Sequence, residues 1–462
     1  MITQKDLSGP KQIPLVGNLH QITIDKMHQQ LESWAKEYGG VYKIGLGPSK
    51  MTVVTKPQII QSILRARPDQ FRRMSKMDTI MQESGVKGVF NAEGEEWKAH
   101  RRIVAKGLDV NHQKQFYPVL LNSVERLYKK WEGSAQNKTP YNIQKELMRF
   151  TVDVTTALAF GYEMNTLEGD RDEIQGYLEK IFPTIFKRIN SPIPLWRYIK
   201  TKSDHEFDAA VVVINKVIDQ FINATRERLN NNPQLKEKPS NFLEGLLVAA
   251  EEEKEITDYE VRGNVMTMLL AGEDTTSHTT AWVIYFLCKY PEIQEKLREE
   301  ANSVLGENKW MKDYEKHHQL SYTEAVIMEA MRLKPVAPIL LFEPLNDIEI
   351  EGYEFRKGSK IILETREGAV NAAHFTNPLK FDPDRWVKMK NSKCPVHNID
   401  AFVPFGSGAR FCPGKNLALL EMKLLISMLT KNFTIQLVGD EPEEVMAFTM
   451  MPSAFNIQLM PV

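Results

Sequence analysis

Apolar and polar positions follow two different periods along this chain, and the change of period divides it. Residues 27–38 place Leu31, Trp34, Ala35 and Tyr38 three or four apart, which predicts an amphipathic helix. Two β-prone runs, 41–45 and 51–55, flank Gly47-Pro48 as in a hairpin, and Pro57 then opens another helix. From about Glu95 to Ile327 the pattern is mostly helical, broken by polar or Pro-bearing loops at 133–140, 190–194 and 230–239. Past Pro335, short strand-like runs at 348–353 and 360–363 lead to a Pro-punctuated coil, a last helical pattern over 415–430 and a β-prone tail. No repeat, charge block or linker cuts the chain. The expectation is one mainly α domain over 1–462 with a minor β lobe. The β-containing parts are about 1–60 and 335–400, the helical body about 60–334, and a cysteine loop with the last helix about 401–430.

Composition narrows the function classes. A hydrophobic share of 42% beside 26% charged residues suits a packed core and excludes a disordered chain. Lys plus Arg is 59 against Asp plus Glu 60, so the net charge of -1 gives no whole-molecule attraction to nucleic acid or anionic lipid. Cys288, Cys394 and Cys412 are too few and too scattered for a disulfide framework and fit a reducing compartment. The first 20 residues hold no long apolar run, so the expected location is cytoplasmic and soluble. Cys394 and His397 form one ligand-type pair without a second, which reads as a surface loop.

One cysteine carries the chemistry. The run from Phe405 through Gly406, Gly408, Arg410 and Cys412 to Gly414 leads into a helix whose face is Leu417, Leu420, Leu424, Leu425 and Met428. With Pro413 at the first helical position, Cys412 caps the helix, where unpaired amides and the positive dipole end favour thiolate. A thiolate is a strong electron-donating ligand for haem iron. The glycines let backbone approach a flat cofactor, and Phe405 shields the sulfur.

These residues match F-x-x-G-x-R-x-C-x-G, and the chain thereby resembles the cytochrome P-450 family from the Pro14–Asn18 segment to the last strand. The resemblance implies haem b, dioxygen as co-substrate, and insertion of one oxygen atom into a hydrophobic substrate. Electrons would come from a separate ferredoxin, flavodoxin or flavin reductase, since no flavin domain is visible. Glu329 and Arg332, three apart on a helix, would pair with Arg385 as a structural lock. The run Ala271-Gly272-Glu273-Asp274-Thr275-Thr276 puts poor helix formers inside a helical stretch from about Thr257 to Lys289. It looks like the distal-helix motif, with Ala271 and Gly272 opening a groove and Asp274 and Thr275 relaying protons to dioxygen. The plainer alternative is that the threonines back-bond to their own helix.

Trp97 and Arg101 match the W-x-x-x-R pattern, so Arg101 and Arg410 would each clamp a haem propionate, with His100 able to substitute for either. Lys98, Arg102, Lys106 and Lys415 would border the docking face for an acidic electron donor. By offset from the motifs, Val89, Phe90, Met266, Leu269, Leu270, Ala271, Ile339, Leu340, Met450 and Met451 would line an apolar substrate pocket, with 186–196 as a mobile lid. Two departures stand out: 340–344 holds no base where many members bind a propionate, and an N-R-D motif is replaced around Val370-Asn371. Two other classes remain in view: a haem-thiolate isomerase, dehydratase or peroxygenase that needs no electron donor, and a non-catalytic haem sensor.

Overall fold

The structure is a computed structural model that describes residues 2–161, 165–167, 173–253, 256–391 and 397–462. Cys394 lies outside them.

Helices carry the mass, and the longest of them, Asp258–Lys289, sets the layout. Its start is fixed by a capping box: the Thr257 side chain accepts from the Glu260 amide while the Glu260 carboxylate accepts from the Thr257 amide. Apolar residues lie on all its sides from Val261 to Leu287, so it runs through the core instead of along the surface. Helix Ile143–Phe160 packs closely along it. Gly272 permits this contact, because a Cβ there would lie 2.8 Å from Thr155 Oγ1 and 3.1 Å from its Cγ2. The glycine expected to open a groove therefore serves helix packing.

The β lobe is a five-stranded sheet in the order Val41–Leu46, Ser49–Val54, Lys360–Glu364, Ile339–Pro344 and Phe71–Arg73. The hairpin read from Gly47-Pro48 is present, with Leu46 opposite Ser49. Only the pair Ser49–Val54 and Lys360–Glu364 is parallel. The last strand, Phe71–Arg73, falls within the span expected to be helical; three residues are too few to show a period of two, and their strand state comes from pairing with Ile339–Pro344. Strand alternation divides the apolar residues between two cores: Ile339 and Leu341 pack on the main helical core, whereas Leu340 joins Leu7, Val41, Phe71 and Phe342 in the sheet's own small core. Two further elements close the molecule: a three-stranded sheet of Tyr141–Asn142, Asn456–Pro461 and Phe433–Val438, and a hairpin of Glu444–Met446 and Met450–Pro452.

Candidate active site

Helix Lys415–Asn432 begins with Gly414 as its N-cap, two residues later than Pro413 was expected to open it. Cys412 therefore lies just ahead of the cap, its own amide donating 2.8 Å to the Phe405 carbonyl, which closes the loop. Gly406 and Gly408 both take positive φ, 74° and 71°. They differ in surroundings: a Cβ on Gly408 would strike the backbone of Leu64 and Arg65, whereas one on Gly406 would make only an ordinary contact, 3.9 Å from the Phe411 Cα. Gly408 is thus needed for packing on the neighbouring helix. Burial pushes the Cys412 thiol above its ordinary range, against the pull of the Gly414 and Lys415 amides and of Arg101. The thiolate expected from the helix start alone is opposed by desolvation in the protein by itself.

Behind this loop, Glu329 and Arg332 form a two-point ion pair with both side chains fully buried: Arg332 Nε and Nη2 donate to the two carboxylate oxygens at 2.9 and 2.8 Å. Arg385 Nε donates to Glu329 Oε1 at 2.9 Å, and Trp386 Nε1 to Oε2 at 2.9 Å. Arg332 Nη1 spans to the Ala369 and Pro378 carbonyls, 2.7 Å each. Every charge here has partners, the condition under which a buried cluster holds.

On the central helix, the stretch around 271 breaks the pattern of burial. Ala271 is exposed and Met268, Gly272, Asp274 and Thr275 are partly so, between turns that are buried. Residues 268, 271 and 275 share one helix face. Thr275 Oγ1 donates to the Ala271 carbonyl at 2.8 Å, the back-bonding geometry, and Asp274 engages neighbouring groups. Met266, Leu269 and Leu270 are on other sides of this helix and, like Met450, are buried in the core, while Leu340 is partly buried against the sheet's own small core. Val89, Phe90, Ile339 and Met451 keep accessible surface.

Sequence reasoning missed an aromatic group. Phe448, in the turn between Met446 and Met450, stacks on Phe182 with ring centres 4.5 Å apart and lies 6.3 Å from Phe90. Its φ of 92° is a strained value for a bulky residue, held by these contacts. An isolated Phe in a β-prone tail gives no sign of this. The 186–196 segment is tied by Lys76 Nζ, which donates to the Ile189 and Ser191 carbonyls, and Pro192 approaches Gly47.

The arginines are arranged differently from expectation. Arg101 is half-buried with its guanidinium 4.6 Å above the Phe411 ring. Arg410, over Trp97 at 5.0 Å, pairs with Glu93 and donates to the Phe90 and Ala92 carbonyls at 3.2 and 2.8 Å. Its side chain is only 4% exposed, so its donors are committed to the protein. Glu93 gave no sequence signal, being 317 positions away. His100 is corrected: one residue along a helix turns about 100°, and its ring points to the central helix, with Nδ1 3.2 Å from Asn264 Nδ2 and Nε2 3.6 Å from Glu260 Oε1. Lys87 Nζ, 3.2 Å from Glu96 and 3.7 Å from Glu260, completes that ion-pair group. Lys98 pairs with Glu95, and Lys415 Nζ lies 5.9 Å from the Phe405 ring. Two surface clefts, bordered by Pro57 and His374 and by Asp440 and Ser453, share no residue with this site.

Among the described residues no helix is long and apolar enough to cross a membrane. The family model described as Cytochrome P450 matches residues 7–459. The chain is 25% identical to Protein LUTEIN DEFICIENT 5, chloroplastic, of Arabidopsis thaliana, over 95% of this chain and 74% of that protein. It is 26% identical to Cytochrome P450 3A15 of Cavia porcellus over 93% and 85%, and 24% identical to 2-hydroxyisoflavanone synthase of Glycyrrhiza uralensis over 98% and 91%. A match that spans the β lobe, the central helix and the cysteine loop together identifies the whole fold: the chain belongs to the cytochrome P450 family, whose members are haem-containing oxidoreductases of the monooxygenase type.

Proposed function

We propose that this protein inserts one atom of dioxygen into a hydrophobic organic substrate, using haem b held by Cys412 and electrons from a separate donor protein. The observation that carries the reading is the accessible face of Ala271 and Thr275 in the middle of a helix otherwise buried. That stretch carries a hydroxyl, Thr275, and a neighbouring carboxyl, Asp274, which fits a site that handles a proton beside an apolar substrate. When bound, haem supplies the iron at which dioxygen is reduced, and the metal's charge holds the Cys412 sulfur deprotonated against the burial that opposes it.

The chain's own residues do the rest. The Cys412 sulfur is desolvated by its surroundings, and the Gly414 and Lys415 amides share its charge. Thr275 Oγ1, steered by the Ala271 carbonyl, and the adjacent Asp274 carboxyl deliver protons into the cavity. Phe90, Phe182 and Phe448 present ring faces that bind an apolar substrate and exclude water. Arg101, half-buried with its guanidinium over the Phe411 ring, would bind one of the cofactor's carboxylates. Residues present therefore fit the group. The donor is a ferredoxin, flavodoxin or flavin reductase that meets the basic surface about Lys106 and Lys415.

The test is turnover of an apolar substrate under labelled dioxygen with a reductase system. One labelled atom in the product, dependent on reductant, is expected. Product formed without reductant or dioxygen would instead identify an isomerase, dehydratase or peroxygenase.

A further inference from the structure

One buried carboxylate fastens the base of the hairpin that carries Phe448. Glu444 Oε2 accepts from Gln29 Nε2 at 2.8 Å and from Arg366 Nη1 at 2.9 Å and lies 2.9 Å from His28 Nε2, while Oε1 pairs with Lys334. Its backbone carbonyl accepts from Lys26 Nζ at 2.8 Å. These partners come from three separate stretches of chain: the helix Met27–Tyr38 with Lys26 just ahead of it, the end of the helix Ser321–Leu333, and the helix Arg366–Ala369. The Glu444 side chain is only 5% exposed, so this is a charged cluster inside the protein.

Burial opposes a charge on Glu444, yet the His28 contact and the Arg366 and Lys334 charges hold its carboxyl well below the usual carboxylate range. Among the described residues no other carboxylate lies within 4 Å of Lys334 Nζ. Taking the charge from Glu444 would therefore leave buried cations without their partner, the costly way to break such a cluster. The hairpin cannot hold itself. Its strands pair at three positions, Glu444 with Pro452, Val445 with Met451 and Met446 with Met450, and a two-stranded hairpin alone is marginal at best. Its turn nevertheless keeps Phe448 at a φ of 92°, a value that lasts only where the surroundings over-determine it. Two ties flank the turn: the Met450 amide donates 2.8 Å to the Val336 carbonyl, and Thr449 Oγ1 lies 3.3 Å from His278 Nδ1. The segment from Lys334 to Val336 thus meets the hairpin both at its base and beside its turn.

We propose that Glu444 is a positioning residue for substrate selection. Its buried charge anchors the hairpin so that the Phe448 ring stays stacked on Phe182 and near Phe90, which fixes how large an apolar group fits beside these rings. This rests on the reading above of Phe448 as a ring that meets the substrate. Glu444 acts at a distance, from the base of the hairpin, and through Phe448 alone.

The experiment compares the affinities of the ferric holoprotein for imidazole and for 4-phenylimidazole, read from the absorbance change as each binds. It uses the wild type, Glu444→Gln, Phe448→Ala and the double variant. The phenyl group probes the ring-lined space, and the bare imidazole reports general damage to the haem site. Lost aromatic contact corresponds to about two- to tenfold in affinity. Glu444→Gln is expected to weaken 4-phenylimidazole by about that factor and to leave imidazole unchanged, and the double variant to lose no more than Phe448→Ala. Equal weakening of both ligands, an unchanged preference, or additive losses in the double variant would overturn the assignment. Where Glu444→Gln retains no haem, Lys334→Met, which keeps the carboxylate and its other donors, is read by the same criteria. A Phe448→Ala variant with the wild-type preference refutes the reading of Phe448 itself, and the proposal with it.

Discussion

The Thr275 hydroxyl donates to the Ala271 carbonyl, 2.8 Å away and one turn back, on the accessible face of a helix whose neighbouring turns are buried. A hydroxyl held this way is aimed along a fixed direction and keeps its lone pairs for a proton coming from elsewhere. Thr275→Ala and Asp274→Asn should therefore retain haem and substrate binding while electrons are diverted from product to hydrogen peroxide. General acid–base groups contribute about 10²–10⁴-fold, so the product formed per reductant consumed is the quantity to measure. Unchanged coupling in both variants would remove the proton-delivery role.

Glu329 offers a sharper contrast between lost charge and lost packing. Replacing it by Gln keeps the volume but leaves Arg332 and Arg385 buried without their carboxylate. Breaking a buried pair from one side costs about 3–5 kcal/mol. A lower urea midpoint, together with poor haem incorporation, is expected of Glu329→Gln; a midpoint equal to wild type would show that the cluster is not a structural lock.

Gly272 and Thr155 are coupled through contact. Ala at 272 gains about 1 kcal/mol of helix propensity but drives its Cβ to 2.8 Å from Thr155 Oγ1, and overpacking costs about 1–3 kcal/mol. Gly272→Ala alone should be neutral or destabilising, whereas in a Thr155→Ala background it should stabilise. A double-mutant cycle of unfolding free energies checks the sign, and additive effects would contradict the close approach.

The reading from sequence succeeded where one element carried its own signal. The hairpin around Gly47-Pro48, the central helix and the Glu329–Arg332 spacing all depend on local pattern, and each is present. Relations between distant segments were not legible. That Arg410 belongs to Glu93 depends on tertiary approach alone, and Arg73 lies on a strand whose state is set by its partner. Facing was also lost: Met266, Leu270 and Ala271 are equally apolar, yet only Ala271 reaches open space, because helix rotation is fixed by packing against Ile143–Phe160. In the strand Ile339–Pro344, period-two alternation sends Leu340 away from Ile339, and knowing which side faces the site required the whole sheet.

Glu421, on the helix that follows the cysteine, is fully enclosed, and burial raises its carboxyl to about 8. The folded state then keeps its proton over a range in which the unfolded chain, with a Glu of about 4.3, has released it. Fewer protons bound on unfolding means that stability falls as pH rises from about 4.5 to 8, then levels. Glu421→Gln should flatten this part of the profile of melting temperature against pH, and a wild-type profile without that decline would contradict the assignment.

The reduced, carbon-monoxide-bound absorbance spectrum tests the role of the Cys412 sulfur most directly. A band near 450 nm, roughly where the haem–thiolate family absorbs, is expected for the wild type and should be absent in Cys412→Ala. A wild-type protein that binds haem without that band, or a variant that keeps it, would contradict ligation by Cys412.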